Sequence, residues 1–118
     1  VNLEFINADI LNYKSDKKYD IIVSNPPYVI GEEKKYMSKN VLDYEPELAL
    51  FVKNDDPLQF YKAIFDFSKN SLNKNGKIYF EINESYKNEI KDLAYDYGYS
   101  NVDCRKDLFG RNRFCVIL

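Results

Sequence analysis

Residues Tyr19-Asp20-Ile21-Ile22-Val23-Ser24-Asn25-Pro26-Pro27-Tyr28 decide the fold. Three β-branched side chains in a row fit a strand buried on both faces, as in a parallel sheet. The paired prolines that follow cannot donate to a ladder, so the strand stops and a rigid loop leaves its carboxyl end. In open α/β sheets ligands bind at that end. Asn25 precedes a proline, which biases its backbone to an extended conformation and fixes the direction of its side chain. Pro26 and Pro27 offer carbonyls and no N–H, so the loop is rich in acceptors and suits a donating group such as an amide or amine NH2. Asn-Pro and Pro-Pro are ordinary turn punctuation when they stand alone. The complete tetrapeptide after an apolar strand ending in Asp-x-x-x-Ser is a far narrower pattern.

Upstream, Leu3-Glu4-Phe5-Ile6-Asn7 alternates as a short strand and Ala8-Asp9 ends it. Asp9 by itself reads as a turn residue. Asn12 to Lys18 is a polar, solvated loop. Downstream, Val29 to Glu47 has no helical or strand period and forms a long surface excursion from the site, the kind of loop that commonly binds something. Asp56-Pro57-Leu58-Gln59 predicts a helix start, with Asp56 as N-cap, Pro57 in the first position and Gln59 three residues after the cap. Leu58, Tyr61, Ile64, Phe65, Ser68 and Leu72 recur at helical spacing as core positions, and Asn75-Gly76 supplies the stop.

Lys77 to Ile82 reads as the next strand. Its Glu81 stands beside the Asn25 loop if the two strands pair in parallel. Tyr86, Ile90, Leu93, Ala94 and Tyr97 mark a second helix ended by Gly98. Val102 to Lys106 and Arg113 to Leu118 read as strands joined by a short turn at Gly110, which makes them antiparallel. The sum is an α/β sheet, mostly parallel with an antiparallel hairpin at one edge, in a single domain spanning residues 1–118.

Composition bounds the function. Lys plus Arg is 17 against 19 for Asp plus Glu, so a net charge of -2 provides no polycationic surface and strong nucleic-acid binding is not expected. Cys104 and Cys115 lack metal-ligand spacing and the chain has no His, so no metal is expected and both thiols read as reduced core residues of a cytoplasmic protein. No apolar run approaches the ~20 residues of a membrane span and no leader opens the chain, so the reading is soluble and unexported, with no membrane partner.

The Tyr19 to Tyr28 stretch resembles the motif IV region of S-adenosylmethionine-dependent amino-methyltransferases, which methylate a planar NH2. Tyr44-Glu45-Pro46 with Ala49-Leu50, Leu58-x-x-Tyr61, and Gly76 with Phe80-Glu81 narrow the resemblance to the peptide chain release factor glutamine N5-methyltransferases, the PrmC/HemK family. It runs from about Leu3 to the last residue. It implies a class I, Rossmann-like methyltransferase sheet, with S-adenosylmethionine as cofactor and a release factor as protein substrate. On that resemblance Asn25, Pro26 and Tyr28 are catalytic. Asn25, Pro26, Pro27, Tyr28 and Glu45 bind substrate, while Asp9, Ile10 and Asn25 meet the cofactor. Ile10 departs from the aromatic residue often found beside the adenine, so stacking would be lost and apolar packing kept.

The four glycines, Gly31, Gly76, Gly98 and Gly110, are scattered, so no Gly-x-Gly loop admits a cofactor close to backbone. In the resembling family that loop and an acid for the ribose hydroxyls precede the position of Val1. The chain is therefore expected to be the C-terminal part of a catalytic domain, without its first two strands, Gly-rich loop and N-terminal helical domain, and inactive alone. Loss of those strands leaves an edge of Ile21 to Ser24 unpaired. Either Leu3 to Asn7 slides over to pair with it, or a second copy does. Two other readings stand beside this one: a nucleic-acid amino-methyltransferase fragment acting on adenine N6, and a noncatalytic truncated module.

Overall fold

In the computed structural model, which describes residues 2–27, 29–30, 51–52 and 56–118, the apolar run becomes strand β1, Tyr19–Ser24. Two-residue strands β2 (Val29–Ile30) and β3 (Phe51–Val52) pair in parallel as a separate small sheet. Helix α1 (Gln59–Ser71), strand β4 (Leu72–Glu81), a 3-10 turn (Glu84–Tyr86), helix α2 (Lys87–Asp96) and strands β5 (Val102–Lys106) and β6 (Asn112–Ile117) complete the described elements. The main sheet has the order β1-β4-β6-β5. β1 and β4 are parallel, with Ile22 opposite Ile78 and Ser24 opposite Phe80. β6 runs antiparallel to both β4 and β5. The expected α/β architecture with an antiparallel C-terminal hairpin is the one observed.

Alternation along β4 divides the sheet into two unlike faces. Ile78, Phe80, Cys115 and Ile117 point to one side and are buried against Tyr61, Ile64 and Phe65 of α1 and Ile90 and Ala94 of α2. Phe80 meets Tyr61 and Phe65 edge to face, at ring separations of 4.9 and 5.4 Å, a geometry favoured by the ring quadrupoles. The other face carries Ile21, Val23, Tyr79 and Phe114, all exposed. This corrects the expectation that β1 is buried on both faces: Ile21 is 58% and Val23 75% exposed. Both described helices pack on one side, so no described element covers the other.

Leu3 to Asn7 is not a strand. It is irregular and exposed, and it does not slide over to pair with β1. An alternating apolar pentapeptide forms a strand only when a neighbour supplies its ladder bonds and a surface for its apolar side, and neither reaches it among the described residues.

The start of α1 also differs in detail. Asp56 accepts the Leu58 N–H through Oδ1 at 3.1 Å and the Gln59 N–H through its carbonyl at 3.3 Å, closing a turn just ahead of the helix. The helix proper begins at Gln59, and Leu58 at the cap position makes no side-chain bond. The stop comes earlier than Asn75-Gly76, because Leu72 turns extended and pairs with Tyr19. Between there and Lys77 the register jumps, with Asn73 donating to the Asp20 carboxylate at 2.7 Å. A Cβ at Gly76 would lie 2.5 Å from Leu72 Cδ1 and 3.0 Å from the Asn73 carbonyl, so a side chain in this bulge would have to displace Leu72.

The second helix and the hairpin form as expected. Gly98 ends the α2 region with a φ of 94°, a left-handed conformation that costs glycine little. The cysteines do not remain reduced. The β5–β6 register sets Cys104 directly opposite Cys115, with Cα atoms 4.0 Å apart, and the two are joined in a disulfide. Their separation in sequence concealed a juxtaposition that only strand register creates.

Candidate active site

β1 ends at Ser24 and the chain leaves its carboxyl end through Asn25, Pro26 and Pro27 in all-trans geometry. Pro26 is buried and Pro27 half-buried, so the ring pair is an anchored part of the rim. Parallel pairing sets Glu81, one residue beyond Phe80, at the same rim. The Tyr61 hydroxyl donates to the Glu81 carbonyl at 2.9 Å and fastens this end of β4 to α1.

A cleft of about 650 Å³ opens beside β1. Asp9 and Ile10 line one wall, Pro26 and Pro27 the rim, and Phe60, Ile64 and Phe67 of α1 the floor. Asp9 is a turn residue, as its type suggests: Oδ1 accepts the Leu11 N–H at 3.0 Å and its carbonyl accepts the Asn12 N–H at 2.9 Å. Its second carboxylate oxygen takes no partner among the described residues. Tyr13 stacks on Phe67 at 5.6 Å, and the buried Ser71 hydroxyl donates to the Ser15 carbonyl at 3.1 Å. These contacts hold the Asp9 to Lys18 segment on α1.

Asn25 is exposed and lies on the other side of the rim. It lines a groove of about 940 Å³ over the bare face, together with Val23, Tyr79, Glu81 and Phe114. The structure thus brings Asp9, Ile10, Pro26 and Pro27 into one cleft and sets Asn25 beside Glu81 at its border. Tyr28 and Glu45, with the Tyr44-Glu45-Pro46 segment, lie outside the described residues.

An apolar wall with a carboxylate at its edge fits the ring and polar edge of an adenine. The described glycines occupy the β4 bulge, the end of α2 and the β5–β6 turn. None stands at the end of β1, so these residues fit one end of S-adenosylmethionine and supply no backbone cradle for the rest. Phe60 and Phe67 were not singled out by sequence as cleft residues. The available signal was their spacing with Ile64, at i, i+4 and i+7 on one stripe of α1. Among the described residues no group of three His, Cys, Asp or Glu side chains could hold a metal ion, and no helix is long and apolar enough to cross a membrane.

A parallel β1–β4 pair closed by an antiparallel hairpin, with a loop leaving the carboxyl end of β1, is the arrangement of part of a Rossmann-like methyltransferase domain. No protein-family model matches the chain. Release factor glutamine methyltransferases do resemble it. The protein of that name from Flavobacterium psychrophilum is 45% identical over 99% of this chain and 41% of its own length. Its namesake from Bacteroides thetaiotaomicron is 50% identical over 80% of the chain and 34% of its own length. That from Lactococcus lactis is 41% identical over 98% and 43%. Over most of its length the chain is similar to release factor glutamine methyltransferases, and it spans 34 to 43% of the length of these relatives.

Proposed function

We propose that the protein carrying this chain transfers a methyl group from S-adenosylmethionine to the side-chain amide nitrogen of a glutamine, the one in the Gly-Gly-Gln tripeptide of a peptide chain release factor. In this reading residues 1–118 are the C-terminal part of the catalytic domain, acting in the cytoplasm. What supports it most is a single arrangement: the cleft that holds Asp9 and Ile10 is bordered by the Asn25-Pro26-Pro27 loop at the carboxyl end of β1.

The chemistry follows from the amide. Its nitrogen lone pair is delocalised into the carbonyl, so the nitrogen is a weak nucleophile that no mild base fully deprotonates. The Asn25 side-chain oxygen and the Pro26 carbonyl each accept one N–H, hold the NH2 and turn its lone pair towards the methyl group that the cofactor would supply. Orientation of this kind accounts for about 7 to 11 kcal/mol in favourable intramolecular cases. S-adenosylmethionine, when bound, supplies the electrophilic methyl group. Tyr28 gives the substrate amide an aromatic wall, and near a cationic centre the ring contributes about 0.5 to 2 kcal/mol. Glu45 touches the substrate or, through a hydrogen bond, orders the loop that carries it. The proton leaves after the methyl group is acquired, so Asn25 and Pro26 need only position the NH2.

The full-length protein, incubated with radiolabelled methyl donor, purified release factor and duplex DNA, should label the release factor alone. Label on DNA and none on the release factor would replace this reading with the adenine N6 one.

A further inference from the structure

The β5–β6 turn is unusual in what it displays. Turns on protein surfaces are mostly built from Gly, Pro, Asn, Asp and Ser, yet here Leu108 is 100% and Phe109 88% exposed, side by side. Nor is the turn loosely held. Asp107 accepts the Phe109 N–H at 2.8 Å and the Arg111 N–H at 3.1 Å through Oδ1, and its Oδ2 lies 3.5 Å from Arg113 Nε. Its own N–H donates to the Arg111 carbonyl at 2.7 Å, and the Gly110 N–H returns to the Asp107 carbonyl at 3.1 Å. Gly110 adopts φ 78°, as the reversal requires. The bonds from the Arg111 and Phe109 backbone and the Arg113 guanidinium hold the Asp107 carboxyl below the usual carboxylate range.

Strand register places this tip on the functional rim. Phe114 pairs with Glu81, and the Ile82 N–H donates to the Arg113 carbonyl at 2.8 Å, so β6 begins where β4 ends. β6 is two strands from β1, or about 10 Å at the usual interstrand spacing. The tip projects beyond the same end of the sheet as Asn25. Its charge also differs from that of the chain. From Val102 to Arg113 there are four cations, Arg105, Lys106, Arg111 and Arg113, against two carboxylates, whereas the whole chain carries -2.

We propose that Leu108 and Phe109 form a pre-ordered apolar knob that docks the protein substrate, entering an apolar socket bordered by carboxylates on the release factor while its glutamine reaches the Asn25 loop. This rests on the reading of the site given above. A rigid aromatic anchor loses little conformational freedom on binding, and such anchors carry a large share of interface energy. Neither side chain lines the Asp9 cleft, so their effect falls on substrate affinity and not on the cofactor.

The test uses the full-length protein and its Leu108→Ser/Phe109→Ser double variant, with release factor and S-adenosylmethionine affinities measured in parallel. The expected result is release factor binding weakened by about tenfold or more, a raised KM at nearly unchanged kcat, and S-adenosylmethionine affinity within twofold of the parent. Release factor affinity within twofold of the parent overturns the knob, as does an equal fall in both affinities, which would mark a structural role. Loss of single-stranded RNA binding with release factor affinity intact overturns it in favour of a nucleic-acid contact. If the unaltered protein methylates the release factor and the variant matches it, only the knob is lost. If the unaltered protein does not methylate the release factor, the functional reading falls and the knob with it.

Discussion

The two faces of one four-stranded sheet have different fates. On the helix side, Ile78, Phe80 and Ile117 are sealed under α1 and α2. On the far side, Ile21, Val23, Tyr79 and Phe114 are as apolar in type but meet solvent. A parallel pair such as β1 and β4 is ordinarily covered on both faces. No described element covers the far face, and the groove that includes Asn25 lies over it. Among the described residues the outer edge of β1 is likewise unpaired. We propose that it pairs with another strand, from a second copy when nothing else reaches it.

The largest effect expected from this asymmetry concerns the cofactor. If the bare side is where the remainder of its site is assembled, the 118-residue chain alone shows no turnover and binds S-adenosylmethionine more weakly than micromolar. Calorimetric titration checks this, and a micromolar dissociation constant would mean that the cleft beside Asp9 suffices without a glycine cradle.

Substitution then compares the faces directly. Phe80→Ala removes a ring packed between Tyr61 and Phe65 and should destabilise the chain by about 3 to 5 kcal/mol. Val23→Ala, on the opposite face of the neighbouring strand, should change the stability of the same chain by less than about 0.5 kcal/mol. In the full-length protein the second value should rise to about 1 kcal/mol or more if a layer covers Val23. Urea unfolding of these three variants against their parents gives the comparison, and equal values for Val23→Ala in both lengths would leave the bare face a true surface.

Asn25 stands at the boundary, where a change should affect rate and not stability. Asn25→Ala in the full-length protein should lower turnover on release factor by a factor of about 100 through lost orientation. Its unfolding midpoint should stay near that of the parent, because the side chain is exposed and outside the core. Near-normal turnover would remove Asn25 from the mechanism.

Much of this division was legible in the sequence, and apart from the start and stop of α1, which formed at Gln59 and Ser71, the misses share one cause. Helix periodicity, the Gly98 stop and the hairpin at Gly110 depend on neighbours close along the chain, and each formed as read. The parallel β1–β4 pairing that sets Glu81 beside Asn25 also followed from element order. What failed depended on distant partners. Among the described residues Leu3 to Asn7 has strand character but no ladder, and Ile21-Ile22-Val23 has two apolar faces but one cover. Cys104 and Cys115 meet only through the β5–β6 register. The exposure of Leu108 and Phe109 likewise appears only once the Asp107 turn is built.

The smallest effect tests how the covered face is clamped. Tyr97, at the end of α2, stacks on Phe65 at 5.1 Å and donates its hydroxyl to Asp66 Oδ1 at 2.8 Å, while Lys69 Nζ lies 4.8 Å from the ring centre. Burial first, and then the Asp66 carboxylate that accepts its hydrogen bond, push Tyr97 from 10.0 up to about 12. The folded chain therefore favours neutral Tyr97 more than the unfolded chain does. This stabilisation is fully present below pH 10 and is lost as pH rises from 10 to 12. Tyr97→Phe keeps the stack and removes the hydroxyl, so it should cost about 0.5 to 1.5 kcal/mol at neutral pH. The variant should also lose part of the parent's decline in stability between pH 10 and 12. Tyr99, also raised by burial, remains to titrate in both proteins, so the difference between their alkaline limbs isolates the clamp. Superimposable pH profiles would show that Tyr97 holds α2 to α1 through its ring alone.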